Sequence, residues 1–167
     1  MDVRGKRVLM CGAGPVALRK TKGLLEAGAE VIVLAPDGDP EFLDLPVKWV
    51  KRKFRVSDVK GFTLIFAATS DRHVNQAIST AAAKEGIPVN VADKPGDCAF
   101  LVPARVRRGS LQVAISTSGE NPKLAVEIRQ RIEQMLDEYS RLIEVTPVTE
   151  SDRVFYLGTG TDSEGTD

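Results

Sequence analysis

Short apolar runs alternate with a longer amphipathic stretch at the start of the chain, a pattern typical of strands and helices in α/β proteins. The apolar run Val8–Cys11 leads directly into a glycine turn, Gly12–Gly14. Pro15 suits the first position of a helix, and Gly28 suits the position just after its end. A second apolar run, Val31–Leu34, follows. We therefore predict a strand, a tight turn, a helix and a second strand.

The same pattern continues to about residue 92. A run of alternating polar and apolar residues predicts a third strand, two apolar runs predict buried strands, and a stretch between Asp71 and Gly86 predicts a helix with Asp71 as its cap. These elements are Val47–Phe54, Thr63–Ala68, Pro88–Ala92 and His73–Lys84.

Beyond Asp93 the pattern changes to short strands and one long helix. The predicted strands are Phe100–Val102, Ala104–Arg107 and Leu111–Ile115, and the helix carries an apolar stripe from Leu124 to Leu142. The fold class predicted is α/β: a Rossmann-type parallel sheet, then a small mixed β-hairpin and a long helix. Since that stripe is long for one small domain to cover, we expect the hairpin and helix to form a dimerisation region.

Three segments follow from this pattern. Residues 1–97 form a dinucleotide-binding domain, residues 98–145 a dimerisation and substrate-cleft region, and residues 146–167 a small, acidic tail that we expect to be partly disordered. The 167 residues have a net charge of zero, 43% hydrophobic residues and 28% charged residues, which disfavours a nucleic-acid-binding protein. Two cysteines without metal or redox spacing and no membrane-length apolar run favour a reduced, cytoplasmic protein. With a single histidine, no metal site is predicted.

The glycine turn predicts a site for the diphosphate of NAD. Gly14 has no side chain to block a phosphate, and the free amides and dipole of the helix that follows favour an anion. No arginine follows the second strand, so NAD is favoured over NADP, with the ribose held by Asp37 or by backbone groups. A turn that only connects strand to helix is the alternative. The cofactor-binding residues predicted at this edge are Gly12, Ala13, Gly14, Pro15, Val16, Pro36, Asp37, Ala68 and Thr69.

Asp93 is the candidate catalytic residue because it ends a strand at the edge where the cofactor is expected. It could act as a general base that takes a proton as hydride leaves the substrate. It could equally cap a turn, which is common for aspartate at strand ends. Arg105 and Arg107 share one strand face and could bind carboxylates, or could be a charged edge that prevents aggregation. Lys123 lies on the following helix; Ser116 belongs to a loop with capping chemistry.

Several spaced segments together resemble the precorrin-2 dehydrogenase family, including its bifunctional siroheme synthase members, over roughly residues 3–136. They are Gly12–Lys20, Leu24–Ala29, Ala67–Asp71 with Asn75, Asn90–Pro95, Phe100–Ala104, Arg108–Leu111, Ala114–Gly119 and Pro122 with Ile128–Arg129.

The resemblance implies NAD-dependent oxidation of precorrin-2 to sirohydrochlorin by a homodimer, with Asp93 as the catalytic aspartate. Precorrin-2 is a tetrapyrrole ringed with carboxylates, which suits Arg105, Arg107, Ser116 and Lys123 as substrate-binding residues. The helical domain that follows the long helix in longer members is largely replaced by a short tail, so we expect weak or absent iron insertion. Two alternatives remain: a regulatory module that binds NAD without chemistry, and an S-adenosylmethionine-dependent methyltransferase.

Overall fold

The computed structural model describes residues 1–109 and 111–139 and divides into two compact units, one ending at Phe100 and the other beginning at Leu101. The predicted tail, residues 146–167, lies outside the described residues. Within the described ranges, no helix has both the length and the apolar character needed to cross a bilayer.

The first unit is built on a five-stranded parallel sheet with strand order β3-β2-β1-β4-β5. Two helices connect its strands by crossovers, α1 between β1 and β2, and α2 between β4 and β5. The elements are β1 (Arg7–Cys11), α1 (Pro15–Glu26), β2 (Glu30–Leu34), β3 (Lys48–Val50), β4 (Leu64–Ala67), α2 (Arg72–Lys84) and β5 (Val89–Val91). The predicted Rossmann-type parallel sheet is therefore confirmed.

The helices lie where the sequence predicts them, with α2 beginning at Arg72, one residue before the predicted His73. Pro15 is the first residue of α1, and Gly28, just beyond its end, has a φ of +78°. The Asp71 carboxylate accepts hydrogen bonds from the amides of His73 (2.8 Å) and Val74 (3.3 Å) and so caps α2. The inner face of α2 packs with β1, β4 and β5 in a core that includes Ile78.

Two predicted strands differ from the structure. The expected strand Val47–Phe54 is shortened to Lys48–Val50, because only these residues pair with β2. Phe100–Val102 lies outside the strands that the structure describes. Phe100 is buried by packing instead: its ring meets that of Phe66 edge to face, with centroids 5.5 Å apart.

The second unit contains an antiparallel hairpin and a long helix. β6 (Ala104–Arg108) pairs with β7 (Leu111–Ile115) as a separate two-stranded antiparallel sheet, which confirms the predicted hairpin. α3 (Pro122–Tyr139) is capped by Asn121, whose side-chain oxygen accepts from the Leu124 amide at 3.0 Å. The predicted end of this helix, Leu142, lies outside the described residues.

Candidate cofactor and catalytic site

The carboxyl ends of four parallel strands line up at one edge of the sheet. Cys11 of β1 pairs with Leu34 of β2 and with Ala67 of β4, and Ala67 pairs with Val91 of β5. The loops that leave these strands therefore start side by side. In an open parallel sheet, ligands bind beyond this edge.

The glycine turn after β1 presses against the loop after β4. Gly12 has a φ of +106°, and a Cβ built on it would lie 2.2 Å from the carbonyl oxygen of Ala68. The Gly12 amide donates to the Leu34 carbonyl (3.0 Å), and the Ala68 amide donates to the Cys11 carbonyl (2.8 Å). Only glycine fits here, because a side chain would enter the neighbouring backbone.

Gly14, in contrast to Gly12, has open space around it. It is the N-cap of α1 with extended backbone (φ −85°, ψ −177°), and a Cβ built on it would meet no atom within 4 Å. Within the described chain, α1 has neither a side-chain cap nor an acidic residue in its first turn, whereas Asp71 and Asn121 cap α2 and α3. An open helix N-terminus with free space before it fits the diphosphate of a dinucleotide.

The loop after β2 lies directly on the glycine turn. A Cβ built on Gly38 would lie 2.2 Å from the Cβ of Ala13, and the Asp39 amide donates to the Ala13 carbonyl at 2.8 Å. The exposed residues Pro36 and Asp37 belong to this loop. The structure thus brings two of the predicted cofactor-binding residues to the turn, while their roles stay a prediction.

A buried asparagine connects the loop after β4 to Asp93. Asn75, on α2, is 1% exposed. Its Oδ1 accepts from the Thr69 amide (3.1 Å) and lies 2.8 Å from the Thr69 hydroxyl, and its Nδ2 donates to the Thr69 carbonyl (3.1 Å). The same Nδ2 donates to Oδ1 of Asp93 at 3.0 Å. Asn75, for which no role was predicted from the sequence, therefore connects Thr69 and Asp93, two predicted site residues.

Asp93 itself is exposed and sits in the turn after β5. Contacts of neighbouring residues hold this turn in place. Lys94 Nζ lies 2.8 Å from Asp97 Oδ1, and the Val91 amide donates to the sulfur of Cys98 at 3.1 Å. Asp93 is thus a solvent-accessible carboxylate on an anchored turn, which suits a proton acceptor.

The cysteines and one lysine near this edge have shifted pKa values. Burial raises the pKa of the Cys11 thiol to about 12, and burial also raises the pKa of Cys98. Both thiols are therefore protonated at neutral pH and are not nucleophiles. Burial, followed by the nearby charge of Arg19, lowers the pKa of Lys20, whose Nζ lies 5.4 Å from the centroid of the Phe66 ring.

The predicted substrate-binding residues lie in the second unit. Arg105 and Arg107 flank the buried Val106 on β6. Lys123 is an exposed residue in the first turn of α3. Ser116 is in the loop after β7, where its Oγ accepts from the Ser118 amide at 3.2 Å, which is turn chemistry.

Arg108, the last residue of β6, forms an ion pair within the second unit. Its guanidinium lies 2.7 Å from Asp137 Oδ1, and this ion pair raises the pKa of Arg108. Across residues 1–109 and 111–139, no group of three or more histidine, cysteine, aspartate or glutamate side chains is arranged to hold a metal ion.

Comparisons with known proteins agree with this geometry. The family model described as "Putative NAD(P)-binding" matches residues 1–104, and the model described as "Sirohaem biosynthesis protein central" matches residues 108–135. Siroheme synthase of Methylococcus capsulatus is 43% identical over 137 residues, which are 80% of this chain and 29% of that protein. Siroheme synthase of Nitrosomonas eutropha is 40% identical over 148 residues, 85% of this chain and 31% of that protein.

A solved structure is also similar. It is titled "SirC, precorrin-2 dehydrogenase", with a TM-score of 0.68 and 29% identity, and the match covers 92% of this chain and 83% of that one. The chain spans about three tenths of the length of the curated relatives it matches. Because the NAD(P)-binding model covers more than half of the 167 residues, the chain belongs to the NAD(P)-binding family of precorrin-2 dehydrogenases and siroheme synthases.

Proposed function

We propose that the chain catalyses the NAD-dependent oxidation of precorrin-2 to sirohydrochlorin. One observation carries the proposal: Asp93 and the open N-terminus of α1 lie beyond the same edge of the sheet. Asp93, bonded to Asn75, follows β5, and α1 follows β1; both strands end in register with Ala67 of β4. A proton acceptor and a diphosphate site thus share one sheet edge. The names of the similar proteins, siroheme synthase and precorrin-2 dehydrogenase, supply the substrate.

The reaction removes two electrons and two protons from the tetrapyrrole. NAD supplies, when bound, the acceptor for two electrons and one proton, transferred together as hydride. The second proton leaves to a base, and we assign this role to the Asp93 carboxylate. Because Asp93 is exposed, it can pass the proton on to water. The balance is precorrin-2 and NAD⁺ to sirohydrochlorin, NADH and one proton.

The cofactor contacts proposed follow from the loops at this edge. The turn and first helical residues, Gly12–Val16, enclose the diphosphate, and α1 has no side-chain cap among the described residues. The donors are backbone amides such as those of Gly14 and Val16, because Pro15 has no N–H and the Gly12 amide is bonded to the Leu34 carbonyl. Pro36 and Asp37 hold the adenine-side ribose, and Ala68 and Thr69 line the same edge from β4. A negative Asp37 disfavours the extra phosphate of NADP.

Arg105, Arg107 and Lys123 are proposed to bind the substrate carboxylates, with Ser116 as a hydrogen-bonding group. Guanidinium groups bind carboxylates through two parallel N–H bonds, which suits a substrate that carries many of them.

We further propose a homodimer formed through the predicted dimerisation region, residues 98–145, which contains the hairpin and α3. The region leaves large apolar side chains exposed on its hairpin and helix, which a second copy would cover. They are Leu111 (41% exposed), Leu124 (42%), Val126 (44%) and Met135 (48%).

The direct test of the catalytic assignment is Asp93→Asn. Asparagine keeps the shape and can still accept the Asn75 bond, but it cannot take a proton. We expect unchanged melting and NAD affinity with turnover lowered by about 10²- to 10⁴-fold. The matched control is Asp71→Asn, the same change at the cap of α2, where asparagine caps as well as aspartate.

Near-normal turnover in Asp93→Asn would make Asp93 a turn residue. A wild-type chain that binds NAD but does not oxidise precorrin-2 would instead favour a regulatory NAD-binding module. Binding of S-adenosylmethionine in place of NAD would favour a methyltransferase.

A further inference from the structure

Asn75 is a polar residue in a position that packing would fill with an apolar one. It shares the inner face of α2 with Ile78 and Ala82, one turn and two turns further on, and is 1% exposed. A buried amide is costly unless its hydrogen bonds are made. Its presence here therefore calls for partners that use the amide fully.

The side chain of Asn75 uses its whole hydrogen-bonding capacity. The oxygen faces the Thr69 amide and hydroxyl, and the nitrogen faces the Thr69 carbonyl and the Asp93 carboxylate, all within 3.1 Å. An amide has two N–H donors and two acceptor lone pairs, so none is left over. The reversed orientation would set the NH₂ group against the Thr69 N–H and the oxygen against a carboxylate. The orientation is thus fixed by its partners.

The bond to Asp93 is not explained by the local turn. Asp93 is 18 residues from Asn75 in sequence. Among the described residues, the Asp93 carboxylate accepts no hydrogen bond from the backbone of its own turn, as a turn cap would. Its one described bond holds Oδ1 and leaves Oδ2 as the oxygen that can take a proton.

We infer that Asn75 is a positioning residue that orients the Asp93 carboxylate for proton transfer while its other bonds fix the Thr69 loop. The inference rests on the proposed function, in which Asp93 is the base. It gives α2 a part in the reaction, because this helix determines where the proton acceptor stands. Misplacing a catalytic group by about 1 Å can lower a rate about 10²-fold.

The test is a double-mutant cycle between Asn75 and Asp93, with steady-state oxidation of precorrin-2 at saturating NAD as the readout. Asn75→Ala should lower kcat by about 10- to 100-fold and change KM for precorrin-2 little, because the substrate contacts remain. In the Asp93→Asn background, Asn75→Ala should cause no further loss, because the base it positions is already absent.

A second variant separates positioning from folding. Asn75→Asp keeps the volume and the oxygen that accepts from the Thr69 amide and hydroxyl, but its carboxylate donates neither to the Thr69 carbonyl nor to Asp93. It should lower kcat at least as much as Asn75→Ala. Ile78→Val is the structural control: it trims the same helix face, is expected to cost about 0.5–1.5 kcal/mol of stability, and should leave kcat unchanged.

Several results would overturn the inference. Equal losses from Asn75→Ala in both backgrounds would mean that Asn75 acts through the fold or the cofactor. Normal kcat in Asn75→Asp would show that the bond to Asp93 has no part in catalysis. If the wild-type chain showed no turnover, the proposed function would fall and the inference with it; if Asp93→Asn lost turnover but the cycle were additive, only the role of Asn75 would fall.

Discussion

Alanine substitutions at the two glycines of the first turn should affect different properties: Gly12→Ala the stability of the fold, and Gly14→Ala the affinity for NAD. At Gly12, an L-residue would have to adopt a φ of +106°, and its Cβ would lie 2.2 Å from the Ala68 carbonyl oxygen. That carbonyl belongs to a residue whose amide is hydrogen-bonded to Cys11, so the neighbour cannot move cheaply. The positive φ alone costs about 1–2 kcal/mol. With the overlap added, we expect Gly12→Ala to destabilise the fold by at least about 2 kcal/mol.

Gly14→Ala should leave the fold unchanged. The backbone there is extended, and the added Cβ would meet no atom within 4 Å. Reduced freedom of the unfolded chain stabilises by about 0.4–1 kcal/mol, and the poorer N-cap offsets part of this. The methyl group would, however, fill the space before α1 where the diphosphate is expected. We expect NAD affinity to fall about tenfold or more, or about 1.4 kcal/mol.

Thermal melting and calorimetric titration with NAD distinguish the two variants. For a chain of this size, about 2 kcal/mol corresponds to a Tm lowered by about 4–8 °C in Gly12→Ala. The Tm of Gly14→Ala should lie within about a degree or two of the wild-type value, because the two small contributions to its stability partly cancel. Wild-type NAD affinity in Gly14→Ala would refute the diphosphate site, and an unchanged Tm in Gly12→Ala would refute the close approach to Ala68.

Three further predictions address the cofactor, acid stability and assembly. Titration calorimetry should show that NAD binds at least about ten times more tightly than NADP, because Asp37 repels a 2′-phosphate. Equal affinities would contradict this. Hydrogen bonds from Arg52 (both 2.7 Å) lower the pKa of Asp58 below its ordinary 3.8, so this pair stabilises the fold above about pH 4 and less as the pH falls through the lowered value. Arg52→Met should therefore lower Tm at neutral pH and progressively less in acid, and a constant difference would count against the pair. Light scattering at micromolar concentration should give a dimer that Leu124→Glu weakens, and a monomeric wild type would exclude the proposed interface.

The sequence was sufficient for the parts of the site that depend on backbone geometry. A glycine turn between two apolar runs can be read directly, because positive φ and close backbone approach restrict the residue type. The apolar runs also placed Asp93 at the sheet edge, since parallel strands end together. These predictions needed only local patterns.

The rest depended on long-range packing. Asn75 was named from the sequence only as part of the family resemblance, and no role was predicted for it, because a polar residue near the start of a helix is usually solvent-exposed or part of a cap. The available signal was its spacing from Ile78 and Ala82, which places it on the buried face. Phe100 was predicted in a strand because an apolar run near a strand pattern favours pairing, whereas its burial comes from contact with Phe66.

The most direct measurement is the rate at which the wild-type chain oxidises precorrin-2 with NAD under anaerobic conditions. The absorbance of sirohydrochlorin and of NADH reports the formation of each product. The proposed function predicts that sirohydrochlorin and NADH form in equal amounts at a rate proportional to the enzyme concentration, and that the rate falls about 10²-fold or more in Asp93→Asn. Tight NAD binding without NADH formation, or sirohydrochlorin formation that does not depend on the chain, would contradict it.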